Sequence, residues 1–156
     1  MYMFKSLYDK IVSQISAADI EADTRDAAVR LATAVLMVDV ALVDSSFDET
    51  EFDRMLQSIK EHFGLDSQQA AELINEANAK ADELVSVHEF TQLLHKHLSD
   101  DEKARVVRLL WTIAYADGEL DKYEDSLVLK ISDLLYVSRG RVMRLKHDAQ
   151  DVAQDR

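Results

Sequence analysis

A chain of 156 residues with no proline, and with only Gly64, Gly118 and Gly140 as glycines, lacks most of the punctuation that sheets and tight hairpins require. Helices joined by short turns are what such a chain can form. Its length matches one domain, and a domain of this size buries about two thirds of the surface its unfolded chain exposes. It needs no disulfide or structural metal to fold. With no cysteine present, thiolate metal sites, thiol nucleophiles and disulfide frameworks are excluded.

Hydrophobic periodicity places the helices. Phe4, Leu7, Tyr8, Ile11, Val12 and Ile15 form one apolar stripe that predicts a helix over 2–16. Residues 1–20 are thus expected to be an amphipathic segment packing on the domain, although Lys5 and Lys10 also give it a thin basic face suited to peripheral membrane contact. After an acidic link at 19–23, a helix over 24–43 is apolar on nearly every side from Leu31 onward, as a central helix must be. Further helices are predicted over 48–63, where Gly64 stops the chain, and from 66 or 67 to 78. Ser86-Val87-His88-Glu89 and Ser99-Asp100-Asp101-Glu102 carry the hydroxyl and glutamate of capping boxes and mark two more starts. The second of these helices runs to about 116 through Val106, Val107, Leu109, Leu110, Trp111 and Ile113, and is the second central helix. Helices over 121–135 and 138–151, with a polar tail at 148–156, complete an all-α, single-domain helical bundle of seven to eight helices.

An offset of 73 residues lays 36–44 over 109–117 with the apolar positions largely coincident. Asp44, Asp48 and Glu51 then fall on Asp117, Asp121 and Glu124, Leu56 on Leu129 and Phe63 on Tyr136. Both halves, about 24–80 and 86–147, read Asp-x3-Asp-x2-Glu. Such self-similarity means that one helix-loop-helix unit is closed by a second copy of itself, giving a pseudo-symmetric bundle around the two central helices.

The run Ala114-Tyr115-Ala116-Asp117-Gly118-Glu119-Leu120-Asp121-Lys122-Tyr123-Glu124, with Leu110-Trp111 before it, resembles the TerB-like family, and the likeness extends over about 24–147. It looks like the stand-alone bacterial form of that domain. The resemblance implies an all-helical fold, an association with tellurite resistance and stress responses, and metal binding. In the first half the Ala-Asp-Gly signature becomes Val43-Asp44-Ser45, so the two loops are not equivalent.

Capping accounts for part of the acidic pattern, since Asp48 and Asp121 can be N-caps with Glu51 and Glu124 as their reciprocal partners. Asp44 and Asp117 differ, because each stands at the carboxyl end of a central helix, where the macrodipole disfavours an anion by about 0.3–1 kcal/mol. A choice against local preference, made twice, points to function. Asp117, Asp121 and Glu124, with Asp44, Asp48 and Glu51 as the weaker copy, are therefore candidate ligands for a hard divalent cation: calcium, magnesium or manganese. Neither loop is an EF-hand, because the glycine stands second rather than sixth and the twelfth positions are Met55 and Val128.

A formal charge of −12 argues against nucleic acid and for cations or basic protein partners. The alternative to a cation module is accordingly an adaptor whose acidic face docks other proteins with no metal requirement. Arg139, Arg141, Arg144 and Lys146 concentrate positive charge near the end of the chain, either facing the acidic loops and water or meeting the acidic face of a second copy. Asp39, inside the most apolar helix, is expected to be hydrogen-bonded or paired with Arg30, Arg105 or Arg108. His88, His95 and His97 read as surface residues. No Glu-x-x-His, His-Glu-x-x-His, nucleophile elbow or phosphate loop occurs in the chain, so no enzyme is expected. No apolar run reaches the ~20 residues of a membrane span, and no signal-peptide pattern opens the chain; a cytoplasmic protein is the expectation.

Overall fold

Between Leu31 and Ala41 every residue except Asp39 is buried, which no one-sided amphipathic helix could achieve. The computed structural model describes residues 22–43, 49–81, 87–116 and 122–154. Among these residues it contains helices α1 (Ala22–Leu42), α2 (Glu49–Phe63), α3 (Ser67–Ala81), α4 (Val87–His97), α5 (Asp100–Ala114), α6 (Lys122–Leu134) and α7 (Arg139–Gln154), and no strand. The all-α expectation holds. The helix expected over 2–16 and the start signal at Ser86 lie outside the described residues.

The helix ends follow local chemistry. Ser99 and Glu102 form the predicted capping box at α5: the Ser99 hydroxyl accepts from the Glu102 amide at 3.2 Å, and the Glu102 carboxylate accepts from the Ser99 amide at 3.0 Å. Asp66 and Gln69 do the same for α3 at 2.8 and 3.1 Å. Gly64, at φ 66°, ends α2 in the left-handed conformation, with the Leu65 amide donating to the Lys60 carbonyl at 3.2 Å. Tyr136 ends the α6 segment identically, at φ 61° with the Val137 amide on the Ser132 carbonyl at 3.1 Å. That cap geometry corrects one sequence pairing. Tyr136 is the counterpart of Gly64, and Phe63 corresponds to the buried Leu135, because the stretch from helix start to left-handed cap is one residue shorter at 122–136 than at 49–64.

Exchanging the halves maps α1, α2 and α3 onto α5, α6 and α7, and the packing obeys the exchange. α1 packs on α3 as α5 packs on α7, while α2 crosses to α5 as α6 crosses to α1. α1 and α5 pack on each other at the centre. One core joins both halves, with Leu36, Met37, Met55, Ile59 and Ile74 from the first and Leu110, Trp111, Ile113 and Ile131 from the second all essentially inaccessible. Buried hydroxyls cost nothing extra here, because Thr33 donates to the Val29 carbonyl at 2.8 Å and Ser132 to the Val128 carbonyl at 2.7 Å. α4 stands outside the exchange and packs on α1 and α6.

Candidate functional site

α2 and α6 begin at Glu49 and Lys122, one residue after Asp48 and Asp121. Glu51 and Glu124 therefore occupy the third helical position in both halves. Glu124 is buried, with 4% of its surface exposed. Asp44, Asp48, Asp117 and Asp121 lie outside the described residues, and of Glu51 only the backbone is described. Among the described residues no group of three or more His, Asp and Glu side chains is arranged to hold a metal ion.

Beside Glu124 in the chain, Asp125 holds a cation over an aromatic ring. Lys146 of α7 donates to the Asp125 carboxylate at 2.7 Å, and its ammonium lies 5.3 Å from the centre of the Trp111 ring. Tyr115 is 6.5 Å from Trp111, ring centre to ring centre. Burial pushes the Tyr115 phenol up from its ordinary value, with Lys146 opposing and Asp125 adding to the shift. The Trp111 indole nitrogen is buried with no hydrogen-bond partner among the described residues.

The basic cluster of α7 is mostly spoken for within the chain. Arg139 reaches Asp133 at 3.1 Å, Arg141 reaches Asp101 at 2.8 Å, and Lys146 holds Asp125. Each exposed pair contributes about 0–1 kcal/mol, but together they fasten α7 to α5 and α6. Of the four cations, Arg144 alone makes no ion pair with a described residue, which leaves little positive charge for a second copy to use.

Asp39 overturns its expectation. Its carboxyl is half-buried and pushed up to about 6 by burial, with no arginine contributing to the shift. Arg30 and Arg105 instead line a cleft of about 300 Å³ where the start of α1, the end of α2 and the start of α5 meet, together with Asp26, Val29, His62, Phe63, Leu98, Glu102 and Val106. Burial and then the neighbouring Arg105 hold the His62 imidazole below its ordinary value. The formal charges of this lining cancel, two guanidiniums against two carboxylates, so the cleft is not an anion trap.

Three buried ionisable side chains escaped the sequence reading. Glu76 and Lys80 share one face of α3, burial raising the Glu76 carboxyl while Lys80 opposes the shift. Their four-residue spacing was a usable signal. Lys103 is 4% exposed and its ammonium contacts His95 Nδ1 at 2.5 Å, while the His95 ring lies 4.6 Å from Tyr136. Nothing local announces that contact, which joins three helical segments.

No helix among the described residues is long and apolar enough to cross a membrane. Comparison with curated proteins returned no match, and neither did comparison with solved structures. The family model described as tellurite resistance protein TerB matches residues 30–147, the span that contains most of α1, all of α5 and both Asp-x3-Asp-x2-Glu motifs. The chain belongs to the TerB family.

Proposed function

We propose that this TerB-family protein is a non-enzymatic, stress-associated module that binds a hard divalent cation at its acidic loops. Asp117, Asp121 and Glu124 are the principal ligands, and Asp44, Asp48 and Glu51 the weaker copy. The observation that carries this reading is the charge at the ends of the two central helices. α1 and α5 both finish with no basic residue in their last turn, and each is followed within three residues by an aspartate, Asp44 or Asp117. The sequence thus sets an aspartate within three residues of the negative end of each helix dipole, and neither helix supplies a countercharge in its last turn. A hard cation with oxygen ligands relieves that repulsion. Lys146 does not supply the charge, because Asp125 already holds it.

Thermal unfolding of chelator-treated protein, with calcium, magnesium, manganese and zinc added singly, tests the reading. A cation at a hundred times its dissociation constant stabilises the fold by about 2.7 kcal/mol. The expected result is an upward shift with one hard cation, abolished by Asp117→Asn, together with a change in the emission of Trp111, the single tryptophan. If no cation moves the midpoint, the loops are helix caps on an acidic docking face, and the adaptor reading replaces this one.

A further inference from the structure

We infer that the cleft between the start of α1, the end of α2 and the start of α5 is the seat of the chain's own residues 2–16. The argument rests on what the same place looks like in the other half. The 73-residue offset puts Lys103 on Arg30, and the cap geometry puts Tyr136 on Gly64, next to Phe63. In the second half α4 buries one of these counterparts: its His95 contacts Lys103, which is 4% exposed, at 2.5 Å, and the same ring lies 4.6 Å from that of Tyr136, which itself stays exposed. In the first half Arg30 and Phe63 line an open cleft, and the space above Gly64 is empty to 4 Å.

α4 is the described helix that the exchange of halves leaves without a partner. It immediately precedes α5, so its counterpart precedes α1, which begins at Ala22. The sequence there supplies what a seated helix needs. Phe4, Leu7, Tyr8, Ile11, Val12 and Ile15 form a stripe matching the one that α4 buries through Phe90, Leu93 and Leu94. Residues 17–21 can span about 17 Å at ~3.4 Å per residue, enough to turn back over the start of α1. Charge agrees as well. Neither Arg30 nor Arg105 makes an ion pair with a described residue, and the link brings Asp19 and Glu21.

The absence of cysteine allows a clean test on the full chain. A nitroxide is attached to Ser6→Cys, and amide signals are followed by nuclear magnetic resonance. The inference requires loss of signal intensity at His62, Phe63 and Arg105, with Lys103, Tyr136 and α7 unaffected. It further requires that Ile11→Glu, or Arg105→Glu on the exposed wall of the cleft, restore the lost signals. Intensity lost on another face, or a loss that neither substitution reverses, overturns it. So does a labelled segment that leaves the cleft signals sharp in water and is ordered only by anionic lipid vesicles.

Discussion

The two halves of this protein share a backbone plan and finish it with different chemistry. The half built from α5, α6 and α7 is tied by ion pairs from Arg139, Arg141 and Lys146, and carries Trp111 at its centre. The half built from α1, α2 and α3 has Val38 where the other has Trp111, Asp39 where the other has Thr112, and Gly64 where the other has Tyr136. A duplicated fold therefore fixes where helices lie and leaves each copy free to vary what fills, charges and caps them. The second copy holds the largest buried side chain, Trp111, and the first holds the misfit carboxylate.

The sharpest way to break this comparison is at the centre. Trp111 and Val38 are both fully buried, so truncation to alanine removes a large side chain in one half and a small one in the other. Trp111→Ala is expected to cost about 3–5 kcal/mol and Val38→Ala about 2 kcal/mol in denaturant unfolding. Equal losses would mean that the two central helices are packed equivalently despite their different contents.

Asp39 sharpens the comparison through pH. Thr112, its counterpart, donates its hydroxyl to the Arg108 carbonyl at 3.0 Å, whereas the Asp39 carboxyl is raised by burial from 3.8 to about 6. A carboxyl that binds its proton more tightly folded than unfolded favours folding as pH falls through that interval. Its ionised form is therefore a burden above pH 6. Asp39→Thr is expected to stabilise the protein by about 1 kcal/mol at pH 7, part of the cost of desolvating a half-buried carboxylate. The gain should disappear below about pH 4. A gain independent of pH would assign the effect to packing instead of charge.

The caps offer the smallest effect. A left-handed backbone suits Gly64 and costs a residue such as Tyr136 about 1–2 kcal/mol, part of which its ring recovers on His95. Tyr136→Gly is expected to stabilise by about 0.5 kcal/mol and Gly64→Ala to destabilise by about 1 kcal/mol, measured as shifts in the thermal midpoint. If Tyr136→Gly destabilises, the contact with His95 outweighs the backbone strain.

Much of this was legible from residue order. The offset between halves, the stop at Gly64, the capping box at Ser99 and the two apolar central helices are features of segments a few residues long, and each stands in the fold where periodicity and capping chemistry placed it. The acidic motif was legible as a pattern, and the helix starts put Glu51 and Glu124 in matching positions. The partners of the charged residues were not legible. Arg30 and Arg105 were candidates for Asp39 and line a cleft instead, and His95 is exposed as read, but its contact with the buried Lys103 was not legible.

The sequence by itself determined that this chain is helical, duplicated and acidic at its loops, because helix periodicity and end caps are settled by hydrogen bonds spanning three or four residues. Only the tertiary structure decided which charge meets which, that Asp39 meets no arginine among the described residues, that Lys103 is buried beside His95, and that Arg30 lines an open cleft where its counterpart Lys103 is buried. Those outcomes depend on which faces of distant helices meet, and residues as far apart as Arg141 and Asp101 become neighbours only when α7 has packed on α5.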